Sequence, residues 1–93
     1  ISSAASLTRP PGLAAYSASK SALNSVVETL SKDLKKRAIT VNALLPTSLD
    51  TPANQKDMPA ERLVKRSNVA EMIALLLSDQ AANISGQLIG MSA

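Results

Sequence analysis

From Tyr16 to Leu34 the apolar residues recur at helical spacing on more than one side, and this stretch limits most strongly what the chain can fold into. Tyr16, Lys20, Leu23, Val27, Leu30 and Leu34 follow one another at intervals of four and three, which places them on one helix face, while Ala22, Val26 and Leu30 add a second apolar strip. A helix that is apolar on two sides is expected to pack on both, and the pattern predicts it over residues 13–36. Residues 39–45 follow, β-branched and apolar in the manner of a buried strand that Pro46 ends. Ile1, Ser2 and Ser3 read as the end of an earlier strand, and Arg9-Pro10-Pro11-Gly12 as the turn into the helix. A last short strand is expected over residues 84–89. This alternation favours an α/β fold with parallel strands and right-handed crossovers, with ligands beyond the carboxyl ends of the strands, at Ser3 and after Pro46.

Between Pro46 and Ala60 the chain is polar and holds Pro46, Pro52 and Pro59, so a loop with room for one helical turn is expected, of a length that is often functional. Ser67 or Asn68 then caps a second helix. Asn68 with Glu71 resembles a capping box ahead of Met72, Ile73, Leu76 and Leu77.

Composition narrows the chemistry. The 93 residues allow one small domain, 45% of them are hydrophobic, and Tyr16 is the only aromatic. Without cysteine or histidine, disulfides, Cys- or His-ligated zinc and His-based triads are excluded. The net charge of +3 is concentrated in Lys32, Lys35, Lys36 and Arg37, where the long helix should end and cations complement its dipole. With no interleaved aromatics, nucleic-acid binding is not expected. No apolar run approaches the roughly 18 residues of a membrane span, and no signal segment opens the chain, so no membrane partner and a cytoplasmic location are expected. The start at Ile1, directly in strand-like sequence, reads as a piece of a longer protein.

Tyr16 and Lys20 lie one helical turn apart, so both side chains reach the same ligand. An ammonium beside a phenol favours the phenolate and so helps it serve as an acid/base near neutral pH. Ser3, ending the preceding strand, offers a hydroxyl to hold a carbonyl oxygen beside that phenol.

Ser3, followed after twelve residues by Tyr16-Ser-Ala-Ser-Lys20, resembles the Ser, Tyr-x-x-x-Lys signature of the classical short-chain dehydrogenases/reductases. The flanking Ile1-Ser2-Ser3-Ala4, Pro11-Gly12-Leu13-Ala14-Ala15-Tyr16, Ile39-Thr40-Val41-Asn42-Ala43 and Ile84-Ser85-Gly86-Gln87 stand in that family's order and spacing. The resemblance implies the C-terminal, catalytic part of a Rossmann-like doubly wound parallel sheet, with about three strands and two to three helices. It implies an oxidoreductase that moves a hydride between NADP or NAD and a carbonyl or alcohol. Tyr16 would be the general acid/base, Lys20 would favour its phenolate and bind the nicotinamide ribose, and Ser3 would position the substrate. Pro46, the Leu49 backbone and Thr51 would contact the cofactor, although Thr47 stands where the family has glycine. The family's use of the long helix in bundles implies a homodimer or homotetramer through the Tyr16 helix, against the alternative that Ala22, Val26 and Leu30 are internal core. The run Leu49-Asp50-Thr51-Pro52-Ala53-Asn54 with Met58-Pro59 is most similar to the dihydropteridine reductase-like branch, though Ser3 keeps a general carbonyl substrate equally open. The glycine-rich pyrophosphate turn has no counterpart, because Gly12, Gly86 and Gly90 are scattered. The 93 residues are therefore expected to be one incomplete domain, inactive alone. The competing expectation is a non-catalytic α/β piece that kept the motif.

Overall fold

A computed structural model describes residues 1–93. After a short initial segment the elements are α1 (Ala5–Thr8), α2 (Ala14–Asp33), β1 (Ala43–Pro46), β2 (Ser48–Leu49), α3 (Pro52–Asp57), β3 (Leu63–Val64), α4 (Arg66–Leu76) and β4 (Leu88–Met91). Tight 3-10 turns occur at Lys35–Arg37, Ala60–Arg62 and Asp79–Ala81.

β1 is the centre of the fold. It pairs in parallel with β4, Ala43 opposite Leu88 and Pro46 opposite Met91. On its other side the N–H of Ser2 donates to the Leu44 carbonyl at 2.8 Å, and that of Ala4 to the Pro46 carbonyl at 3.0 Å. This stepping is that of a parallel pair. The return bond from residue 46 to the Ser2 carbonyl cannot form, because proline has no N–H. The expected first strand is thus bonded to β1 from one direction only.

Successive residues of β1 point to opposite layers. Ala43 and Leu45 pack with Val27 of α2, whereas Leu44 packs with Val64 and with Val69 of α4, backed by Met72, Leu76 and Ile89. Helices on both faces of a parallel sheet, with the central strand buried from both, make the doubly wound arrangement expected from the sequence.

Several boundaries differ from the sequence reading for local reasons. The strand predicted over residues 39–45 begins only at Ala43, because side chains replace the ladder before it: Ser85 Oγ accepts from the Val41 N–H at 3.1 Å, and Asn42 bridges the Ile84 carbonyl and the Gln87 N–H. Pro46 ends β1 as expected, as its last residue, and its missing N–H faces the half-bonded side. The last strand moves correspondingly to Leu88–Met91. Residues 46–60 are not one loop, for β2 pairs in parallel with β3 and Thr51 caps α3 with Pro52 at its first position. The Asn68–Glu71 capping box does not form. α4 starts at Arg66 after Lys65, which provides no side-chain cap, and its first N–H is taken instead by Asp50.

α2 and the turn after it fill the range predicted, residues 13–36, almost to the residue. Its second apolar strip does not pack within the chain: Val26 is 51% exposed and Leu30 39%. No helix is long and apolar enough to cross a membrane.

Candidate active site

Ser3 lies in the initial segment beside the end of β1, and Tyr16 and Lys20 lie in the first half of α2. The helical repeat projects Tyr16 and Lys20 from one face, and the Lys20 Nζ lies 5.9 Å from the centre of the Tyr16 ring. Nζ donates to the Ile1 carbonyl at 3.2 Å, while the Ser2 hydroxyl donates to the Lys20 carbonyl at 3.3 Å. Helix and initial segment are therefore laced together at Lys20. Tyr16 is 46% exposed. Its hydroxyl takes no part in hydrogen bonding, and its carbonyl accepts from Ser19.

Ser3 is buried, and its Oγ accepts from the Ala5 N–H at 3.1 Å, so it shapes the turn into α1. That use consumes an acceptor site and leaves the hydroxyl proton free. The Ala4–Pro46 bond holds Ser3 beside the end of β1. No hydrogen bond joins Ser3 to Tyr16; what relates them is the packing of α1 on α2.

That packing is polar, and the sequence reading missed it. The Ser6 hydroxyl donates to the Ser3 carbonyl at 2.6 Å and accepts from Asn24 Nδ2 at 2.8 Å, and Ser21 donates to the Ser6 carbonyl at 3.0 Å. Asn24 continues the four-residue spacing of Tyr16 and Lys20, a signal in the sequence that could have found it. Its Oδ1 and the Ser17 Oγ are buried without partners.

Pro46, Leu49 and Thr51 stand on the neighbouring rim, with no hydrogen bond to Tyr16 or Lys20. Thr47 donates its N–H to the Met91 carbonyl at 2.9 Å, so the chain continues along the sheet edge where the family pattern has glycine. The Leu49 carbonyl accepts from the Thr51 N–H at 2.8 Å and from Asn54 Nδ2 at 2.9 Å, and Thr51 Oγ1 accepts from the Asn54 N–H at 3.3 Å. Between them, Asp50 Oδ1 accepts from both the N–H and the Nε of Arg66, at 2.9 and 3.0 Å. The Arg66 N–H first, and its guanidinium after it, hold the Asp50 carboxyl below its ordinary value of 3.8 against the opposing effect of partial burial. Neither residue was singled out from sequence, because nothing local relates positions 50 and 66.

The donors suit a nicotinamide nucleotide. Lys20 has three N–H donors and spends one on Ile1, Tyr16 offers an uncommitted hydroxyl, and Thr51 keeps its hydroxyl proton. The largest groove, between α2 and the turn before β4, is bordered by Glu28, Lys32, Lys35 and Gly86 and touches none of the six predicted site residues.

A parallel sheet covered on both faces by helices is the architecture of a Rossmann-type nucleotide-binding protein. Residues 1–92 match the family model described as enoyl-(acyl carrier protein) reductase. The chain belongs to the short-chain dehydrogenase/reductase family. It is 32% identical over 102 residues to the 3-oxoacyl-(acyl-carrier-protein) reductase of Thermotoga maritima, covering 98% of this chain and 42% of that protein. It is 36% identical to the cyclic-di-GMP-binding biofilm dispersal mediator of Escherichia coli, over 83% of this chain and 37% of the relative. Among solved structures, the Brucella melitensis 3-ketoacyl-(acyl-carrier-protein) reductase complexed with NADH superposes with a TM-score of 0.85 at 31% identity, covering 98% of this chain and 41% of that one. The chain thus spans about two fifths of the length of the relatives it matches.

Proposed function

We propose that the protein is an NAD(P)-dependent oxidoreductase that interconverts a carbonyl and an alcohol, with Tyr16 as general acid/base, Lys20 as its partner and Ser3 as the group that holds the substrate oxygen. The observation that carries this reading is the uncommitted Tyr16 hydroxyl beside an ammonium that the Ile1 carbonyl fixes in place. The nicotinamide supplies or accepts the hydride when bound. In the reductive direction Ser3 donates its free hydroxyl proton to the substrate oxygen, and Tyr16 transfers its own proton to that oxygen as negative charge develops there. Lys20 stabilises the charge left on the phenol and hydrogen-bonds the ribose hydroxyls. Pro46, the Leu49 backbone and Thr51 form the opposite wall.

The NADH bound in the Brucella structure supports the cofactor class, NAD or NADP. Among substrates, the relatives' names favour an acyl thioester ketone, while the Leu49-to-Asn54 run resembles the dihydropteridine reductase-like branch and leaves a general carbonyl or alcohol as open as a pterin. The exposed strip of Ala22, Val26 and Leu30 is suited to a second copy of the protein packing along α2. Because no glycine-rich turn is present among the 93 residues, they are expected to show negligible turnover by themselves.

The test is Tyr16→Phe in the full-length protein. Losing only the hydroxyl should lower turnover ~100-fold or more, with NADH or NADPH affinity nearly unchanged. Near-normal turnover would remove Tyr16 from the chemistry.

A further inference from the structure

We propose that Asp50 and Arg66 form a latch that positions the Leu49 backbone and the Thr51 hydroxyl for the cofactor, which makes Asp50 a positioning residue of the site. The inference rests on the nicotinamide reading above and adds to it a residue pair that is remote in sequence.

Asp50 is held at every polar group it has on the backbone, and once more through its side chain. Its N–H donates to the Val64 carbonyl at 3.0 Å, its carbonyl accepts from Gln55 Nε2 at 3.0 Å, and Oδ1 takes the two bonds from Arg66. The residues on either side of it, Leu49 and Thr51, are two of those assigned above to the cofactor wall. Leu49 and Thr51 are tied to each other and to Asn54, but their only hydrogen-bonded link to α4 passes through Asp50.

An exposed ion pair alone stabilises little, and the Arg66 side chain is 61% exposed. The backbone bond is different. Arg66 is the first residue of α4, whose N-terminus has no cap from its own sequence, so the carboxylate meets an otherwise unpaired N–H at the positive end of the helix dipole. The guanidinium then fixes which way that carboxylate turns. The latch therefore anchors residues 49–51 to the frame of α4, and α4 is packed on β1 through Val69.

Arg66→Pro separates positioning from simple helix capping. Proline is favoured at the first helical position, where its missing N–H costs the helix nothing, so α4 should remain intact while both latch bonds disappear. The experiment titrates the full-length protein with NADH and NADPH by fluorescence, alongside urea unfolding, for Asp50→Ala, Asp50→Asn, Arg66→Gln, Arg66→Pro and Thr51→Ala. The latch predicts that Asp50→Ala and Arg66→Pro raise the cofactor Kd roughly threefold to tenfold, the scale of a lost cap and of a smaller binding-competent population. Arg66→Gln should fall between them and wild type, because its backbone bond survives. Combining Thr51→Ala with Asp50→Ala should give less than the product of the single effects. Weakened binding in Thr51→Ala beside unchanged binding in Asp50→Ala, Asp50→Asn and Arg66→Pro would overturn the latch and leave the cofactor reading standing. Unchanged binding in Thr51→Ala would overturn both. A fall in unfolding midpoint with unchanged Kd in the Asp50 variants would reduce the pair to a structural cap.

Discussion

Ser6→Ala tests whether the buried polar join between α1 and α2 holds the site together. Ser6 is 1% exposed, and its hydroxyl is both the donor to the Ser3 carbonyl and the acceptor for Asn24 Nδ2. Truncation orphans Asn24 Nδ2, while the Ser3 carbonyl keeps its bond from the Ser6 N–H at 3.1 Å. A buried group left unpaired costs about 1–3 kcal/mol, and Asn24 would then have neither end of its amide satisfied, since its Oδ1 has no partner already. The expected destabilisation is about 1–3 kcal/mol, the cost of that one orphan. Turnover should fall as well, because the Ser3 carbonyl loses one of the two contacts that set the turn on which its hydroxyl sits. Adding Asn24→Leu replaces the orphaned polar group with an apolar one of similar size and should recover much of the loss, since the Ser3 carbonyl stays paired with the Ser6 N–H. Urea unfolding of the full-length variants, with the slope checked for constancy, measures the difference. A cost below about 0.5 kcal/mol for Ser6→Ala, or a double variant as unstable as the two singles added together, would refute the proposed coupling between these buried groups.

Lys20→Ala should weaken cofactor binding and lower turnover together, since one ammonium serves ribose and phenol, and a titration with steady-state kinetics reads both; an effect confined to stability would limit Lys20 to its bond with Ile1. Gly86→Ala should destabilise by about 1–2 kcal/mol, because Gly86 has φ +72° and an added Cβ would stand 2.6 Å from the Ser31 Oγ. Ser31→Ala in that background should restore only part of the loss, as the backbone strain persists. Asp50 gives an acid-sensitive contribution: its carboxyl is held below the ordinary 3.8 in the folded protein, so the stabilisation is complete above that value and is lost as pH falls through the lowered one. The stability gap between wild type and Asp50→Asn should therefore be flat near neutrality and narrow below pH 3.8, as followed by urea midpoints.

The parts of this protein that the sequence determined are those that local chemistry specifies. The period of apolar residues from Tyr16 to Leu34 defined α2, and the same period placed Tyr16 and Lys20 on one side of it. The alternation of helix and β-branched run defined the parallel fold, and Ser3, Tyr16 and Lys20 stood at family spacing. Local signals failed where partners from elsewhere replaced them. Val41 and Asn42 read as strand, yet the side chain of Ser85 and that of Asn42 itself took over the ladder's bonds. Asn68 and Glu71 read as a capping box, yet a carboxylate 16 residues before Arg66 claimed the helix start first. Only the tertiary structure decided that Asn24 would reach Ser3 through Ser6, that Asp50 would bind α4, and that Val26 and Leu30 would face outward. Each of these depends on which surfaces meet once β1 is buried between two helices, and the spacing of residues along one element carries no information about the element that will cover it.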